Sequence, residues 1–386
     1  MFLHPIFRAV AAPALLALAL LAGASPASAQ APAAPVINAR AWLLLDMTTG
    51  QVLAAEKTGE RIDPASLTKL MTAYLTFSAL KAKTITLEQT APVSEKAWKA
   101  IGSRMFIEPK KPVTVAELIR GMIVQSGNDA CIALAELISG SEEAFVAAMN
   151  REAQRMGLKN TSYRNSTGLT EAQHYTTADD LARLASAIIL DHPEFYPLYS
   201  IKEYTYNNIK QSNRNRLLWM DPNVDGLKTG FTDAAGYCLI ASAKRGPRRL
   251  LSIVLGTQNE SARATESQKL LNHGFLNFDA VRLYEKSQGV AALEVWKGGT
   301  RELKAGFDRD LYVNVPKGQG GKVKATLTWQ KPLVAPIALS QKVGDLKVTI
   351  DGREVAAAPV LALEKIESAG VFGRAVDTVR LWFAKT

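Results

Sequence analysis

The chain has 386 residues, 47% of them hydrophobic and 21% charged, with 46 Lys+Arg against 36 Asp+Glu for a formal net charge of +10. This balance, with 26 Gly and 17 Pro, excludes wholesale disorder and a collagen-like repeat, and the length suits two or three domains. Two cysteines, Cys131 and Cys238, are too few for a disulfide scaffold, and with His174, His192 and His273 scattered and no Cys-x-x-Cys or His-Glu-x-x-His, no metal or cofactor is expected.

In chain order, residues 1–8 carry one Arg and no acid, 9–22 are uninterrupted apolar residues, and a small-residue stretch ends in Ala27-Ser28-Ala29. That is the layout of a secretory signal peptide, its apolar run shorter than the roughly 18 residues that span a bilayer. An exported protein whose folded part starts near residue 30 is expected, with no transmembrane helix. The positive charge then suits an anionic membrane surface or carboxylate-bearing substrates, while export argues against nucleic acid.

Strands are expected at 41–45 and 51–55, joined by a turn with Asp46 and Gly50. Asp63-Pro64 starts a helix to about Leu80, with Leu67, Leu70, Met71, Tyr74 and Leu75 at helical spacing. Thr114-x-x-Glu117 is a capping box for a helix over 115–124, which stops at Gln125-Ser126-Gly127-Asn128 before another begins near Asp129. Thr177 and Asp180 open a helix through Leu190. Strands follow at 204–210, 227–232, 237–243 and 250–257, with a Gly246-Pro247 turn, and 259–275 is helical again. Strands at both ends with helices between them predict one α/β (α+β) unit over 30–286, an antiparallel sheet covered by helices.

From about Ser287 the chain alternates apolar and polar residues at 311–315, 323–329 and 346–350, with a tight Asp351-Gly352 turn, predicting a small all-β domain over 287–365. The last segment, 366–386, contains an amphipathic helix. Val371, Phe372, Ala375, Val376, Val379, Trp382 and Phe383 fall within ~140° of arc, and Arg374, Asp377, Thr378, Arg380 and Lys385 lie opposite, with Leu381 misplaced. Such a helix can lie in a membrane interface; the plainer alternative is that its apolar face packs on its own domain.

Three short motifs carry chemistry. In Ser66-Leu67-Thr68-Lys69, Ser66 lies in the first helical turn with an amine one turn on as general base. Alone this means little, since about one Ser-x-x-Lys is expected by chance, and Ser78–Lys81 is a second instance. Ser126-Gly127-Asn128 sits at a helix break, where side chains can face a cleft. Lys228-Thr229-Gly230 lies in a strand, where Lys and Thr can bind a carboxylate and Gly admits a close backbone; Lys57-Thr58-Gly59, in a polar turn, is its decoy.

Ser-x-x-Lys at a helix start, Ser-x-Asn at a helix break and Lys-Thr-Gly on a strand, in that order, are the motif set of penicillin-binding proteins and serine β-lactamases. Residues 63–69, 122–130 and 225–232 resemble the low-molecular-mass penicillin-binding proteins that are serine-type D-alanyl-D-alanine carboxypeptidases. The resemblance spans nearly the whole chain after residue 29, because that family also has a small β domain and a C-terminal amphipathic anchor. It implies a serine β-lactamase/transpeptidase-like fold, peptidoglycan pentapeptide as substrate, β-lactam antibiotics as covalent inhibitors, and a place on the periplasmic face of the cytoplasmic membrane.

The resemblance further implies roles. Ser66 attacks the carbonyl between the terminal D-alanines, Lys69 takes its proton, and Ser126 relays a proton to the leaving amine. Asn128 binds the substrate amide, Lys228 and Thr229 hold the terminal carboxylate, Gly230 lets it approach, and the backbone N–H groups of Ser66 and Phe231 form the oxyanion hole. Lys69 must be neutral for this, through burial and the nearby Lys228 cation. The family often has His where this chain has Phe231, which leaves a backbone donor but not fine specificity. A β-lactamase is disfavoured because the loop at 160–177, between the second and third motifs, contains only one carboxylate, Glu171, which lacks the Glu-x-x-Leu-Asn pattern of those enzymes. D,D-endopeptidase action uses the same residues, and an inactive scaffold conflicts with an intact set. His174 is expected at the surface, and Cys131 as a buried inert thiol.

Overall fold

The structure is a computed structural model that describes residues 32–384; the segment read as a signal peptide and Lys385 lie outside the described residues. Five antiparallel strands form the first sheet, in the order Gln51–Glu56, Ala41–Asp46, Arg248–Thr257, Gly236–Arg245, Val224–Thr232. The N-terminal hairpin is thus paired to the last strand of the same unit, and the chain between 57 and 223 is inserted as helices and loops.

Both faces of this sheet are covered. Alternation sends Leu43, Ile240 and Ile253 into a core shared with Leu70, Phe77, Ile132 and Leu184 of the inserted helices. Trp42, Leu44, Val254 and Leu250 point the other way, against Leu270 and Leu271 of the Glu260–Asn277 helix. Among the described residues only Gly236–Arg245 pairs with Val224–Thr232, so the strand bearing Lys228-Thr229-Gly230 lies at the sheet edge.

Helix starts follow local capping chemistry. Thr114 and Glu117 make both halves of the capping box, Thr177 Oγ1 accepts the Asp180 N–H at 3.2 Å, and Asn259 Oδ1 accepts that of Ala262 at 2.8 Å. Three expectations need correction. The helix expected from Pro64 begins as a 3₁₀ turn, Ala65–Thr68, and becomes α-helical at Lys69–Lys81. The helix expected over 115–124 is α-helical only over Val115–Arg120 and continues as a π-turn, Gly121–Gln125. The single strand expected at 204–210 is a hairpin, Glu203–Tyr206 and Ile209–Ser212, turned by Asn207 and Asn208 at φ 49° and 60°. A Glu142–Arg155 helix, capped by Ser141, was not anticipated.

The C-terminal part is all β, with six strands in one sheet and the pair Phe278–Tyr284 and Leu311–Pro316 beside it. Strand pairing therefore begins at Phe278, upstream of Ser287. Arg248 joins the two parts: it donates to Asp46 Oδ2 at 2.6 Å, to the Gly274 and Phe278 carbonyls, and to Asn314 Oδ1 at 3.0 Å. The final helix, Val371–Ala384, touches the β part with its polar back. Asp377 is buried and accepts the Lys297 N–H at 2.7 Å, whereas Val371, Phe372, Val376, Val379 and Trp382 are exposed. No helix among the described residues is long and apolar enough to cross a membrane.

Candidate active site

The nucleophile turn is shaped by its neighbours. Asp63 Oδ1 accepts the Ala65 N–H at 2.9 Å, and Ala65 sits at φ 47°, a conformation an L side chain rarely adopts. A loop at 165–169 lies directly behind it. Gly168 has φ 88°, and a Cβ there would lie 1.8 Å from the Ala65 carbonyl oxygen, so only glycine fits. Asn165 Oδ1 gathers the N–H groups of Thr167 and Gly168, and Glu142 Oε1 accepts from Ser166, fixing the loop to the helix layer.

This packing delivers the Lys69 amine to three acceptors: Ser66 Oγ at 2.9 Å, Asn128 Oδ1 at 2.7 Å and the Thr167 carbonyl at 2.5 Å. Lys69 is fully buried, and burial first, then the Arg214 cation, lowers its pKa to about 8. The Arg214 guanidinium, not anticipated in the sequence, adds to this push, and the repulsion between Lys69 and Lys228 is mutual. Lys228 is itself held well below the usual lysine range, by burial and by Lys69.

The second motif sits where the π-turn ends. Ser126 takes φ 67°, and its Oγ accepts from Lys228 Nζ at 2.9 Å. Asn128 starts the Asn128–Ser139 helix and donates its amide to the Ile101 carbonyl at 2.7 Å, keeping one N–H for a ligand. Asp129, which sequence reading passed over, accepts the N–H groups of Met105, Phe106 and Ile107. It thereby holds the loop that forms one wall of the cleft.

The third motif faces the nucleophile from the edge strand. A Cβ on Gly230 would lie 3.2–3.3 Å from Leu67, Ala65 and the Pro64 carbonyl, so the strand is seated tightly on the nucleophile turn. Phe231 is exposed, its ring 4.2 Å from that of Tyr237. A cleft of about 360 Å³ opens here, lined by Ser66, Ser126, Asn128, Thr229, Gly230 and Phe231, with Lys69 and Lys228 buried beneath. All eight expected residues therefore meet in one place. The decoys do not: Ser78 faces His192, and Thr58 bonds Asp179.

Arg214 and Arg263 also line the cleft, and Arg263 donates to the Gly230 carbonyl at 3.3 Å. Neither stood out in the sequence, because an isolated Arg carries no spacing signal. Thr167 and Gly168 stood a better chance, since Asn165-Ser166-Thr167-Gly168 is a turn-forming run. His174 is not at the surface, as expected, but buried, with Nε2 3.0 Å from Thr68 Oγ1; burial lowers its pKa to about 4. Cys131 and Cys238 are free and buried, and burial pushes the Cys131 thiol up to about 12. No group of His, Cys, Asp and Glu among the described residues could hold a metal ion.

Comparison with known proteins agrees with this arrangement. A family model described as D-alanyl-D-alanine carboxypeptidase matches residues 28–259, and one described as penicillin-binding protein 5, C-terminal domain, matches 278–368. The chain is 42% identical over 375 residues to the D-alanyl-D-alanine carboxypeptidase DacC of Escherichia coli, covering 95% of this chain and 94% of that protein. It is similar to the crystal structure of penicillin-binding protein 5 from Haemophilus influenzae, with TM-score 0.83, 40% identity, and coverage of 87% of this chain and 99% of the other. It is also similar to penicillin-binding protein D2 from Listeria monocytogenes in its ampicillin-bound form, with TM-score 0.58, 30% identity, and coverage of 63% and 99%.

Proposed function

The chain belongs to the D-alanyl-D-alanine carboxypeptidase family, and from that premise we propose how its residues perform the reaction of a serine-type carboxypeptidase. The observation that carries the proposal is the placement of the Lys69 amine among Ser66 Oγ, Asn128 Oδ1 and the Thr167 carbonyl. A neutral amine has two N–H bonds and one lone pair. The two carbonyl oxygens can only accept, so they take the N–H bonds and leave the lone pair for the Ser66 hydroxyl proton.

Ser66 Oγ, losing that proton to Lys69, attacks the carbonyl between the two terminal D-alanines of the peptidoglycan stem peptide. The oxyanion is held by the backbone N–H groups of Ser66 and Phe231. Thr229, Lys228 and the exposed Arg214 receive the terminal carboxylate, and that negative charge restores the Lys228 proton affinity lost to burial. Ser126 relays the proton that Lys69 took to the departing D-alanine nitrogen, which leaves Lys69 neutral and Lys228 charged against the carboxylate. The remaining N–H of Asn128 orients the acyl part, and water, giving one proton by way of Lys69 to Ser66 Oγ, adds its hydroxyl to the acyl carbon and releases the shortened peptide. β-Lactams acylate the same serine.

The leader-like segment supports export to the periplasmic face of the cytoplasmic membrane. The exposed apolar arc of the final helix supports attachment to that surface. D-Alanine release from a peptide ending in D-Ala-D-Ala tests the assignment. Wild type releases one D-alanine per peptide and Ser66→Ala none; release by Ser66→Ala at the wild-type rate removes Ser66 from the mechanism.

A further inference from the structure

We propose that the cleft between the C-terminal helix and the β part binds the zwitterionic head group of a membrane phospholipid; the proposal rests on the membrane-attachment reading above. The cleft measures about 340 Å³ and is lined by residues of the β part and the final helix, with none of the catalytic residues among them. Its walls are Trp296, Trp329, Pro332 and, from the helix, Leu381; Glu294 and Lys331 also line it. Lys331 Nζ stands 5.0 Å from the Trp329 ring centroid, and Trp329 is partly exposed.

Two features fit a zwitterion. Glu294 and Lys331 are opposite charges in one aromatic cleft, yet neither makes an ion pair among the described residues, although twenty other such pairs are formed. A phosphate can meet the Lys331 ammonium while an amine meets the Glu294 carboxylate and an indole face. Depth favours the membrane as source. Leu381 and Asp377 lie on the helix back, opposite the exposed arc of Phe372, Val376 and Val379. A helix is about 10 Å across and an interfacial helix sinks its apolar face about 5–10 Å, so the back rides at head-group level. The cleft opens beside that back, and indoles at this depth are the side chains that tolerate one apolar and one wet end.

The test uses the full folded chain, labelled at its indole N–H groups, with Trp296 and Trp329 resonances assigned by Trp→Phe substitution. Glycerophosphoethanolamine should move these two resonances and not those of Trp42, Trp98 and Trp219. Lys331→Gln and Glu294→Gln, both at exposed edges of the cleft, should each weaken the response roughly three- to fivefold. A response to an N-acetylglucosamine disaccharide instead, an equal response to glycerol phosphate lacking the amine, no response, or unchanged affinity in both variants overturns the proposal. A parallel arm separates it from attachment itself. Phe372→Ser with Val376→Ser should abolish pelleting with phosphatidylethanolamine–phosphatidylglycerol vesicles while leaving the indole shifts intact. Wild-type chain that shows the shifts but never pellets defeats the attachment reading and leaves the cleft standing; pelleting without shifts defeats the cleft alone.

Discussion

A lysine serves as a base near neutral pH only where its proton is weakly held, and the Lys69 environment provides this chiefly by burial. Because the deprotonated amine is the active form, the second-order rate constant for acylation by benzylpenicillin should climb with pH through about 8 and then level off. Stopped-flow rates between pH 6 and 10 read this, and a flat profile contradicts a Lys69 base. Lys69→Arg, charged at every accessible pH, should lose roughly 10³-fold in the same rate. Gly168 makes a structural contribution of comparable weight. Ala at this position has both the wrong φ and a Cβ on the Ala65 carbonyl, so Gly168→Ala should cost about 1–3 kcal/mol in urea unfolding and slow acylation by displacing Thr167 from Lys69. The catalytic side chains were legible in the sequence because their type and spacing are the chemistry. Thr167 was not, because it contributes a backbone carbonyl, which every residue has.

Elements were legible where their determinants are local. Thr114, Thr177 and Asn259 cap helices through side chains three residues from the N–H groups they satisfy. Features set by distant partners were missed. His174 reads as a loop histidine, but Thr68, over a hundred positions earlier, draws it inward. The Asn207-Asn208 turn is the exception, a local signal that was overlooked: two asparagines at positive φ reverse a chain as glycine does and divide what looks like one strand. Asp129 shows how one element fixes another: from the first turn of its helix it accepts three N–H groups of the cleft wall. Asp129→Ala leaves these donors without their buried carboxylate. It should lower stability by about 3 kcal/mol, speed hydrogen exchange at Met105, Phe106 and Ile107, and raise KM for peptide substrate. Unchanged exchange at these amides contradicts the role.

At the scale of the molecule, one guanidinium ties the sheet of the catalytic part to the β part. Arg248 spans Asp46, the Gly274 and Phe278 carbonyls, and Asn314, itself bonded to Thr49 and Gln51 of the N-terminal hairpin. Arg248→Met strands the buried Asp46 carboxylate and should cost about 3–5 kcal/mol, read as a lower unfolding midpoint in urea. A midpoint within error of wild type contradicts the junction's importance. The architecture places the catalytic cleft in the sheet-and-helix part and the exposed helix against the β part, the two parts joined through that junction. The claim on which all of this depends is that Ser66 is acylated. Intact-protein mass after brief exposure to benzylpenicillin measures it most directly: wild type should gain the mass of one drug molecule and Ser66→Ala none. An equal adduct on both proteins, or no adduct on wild type, contradicts the account.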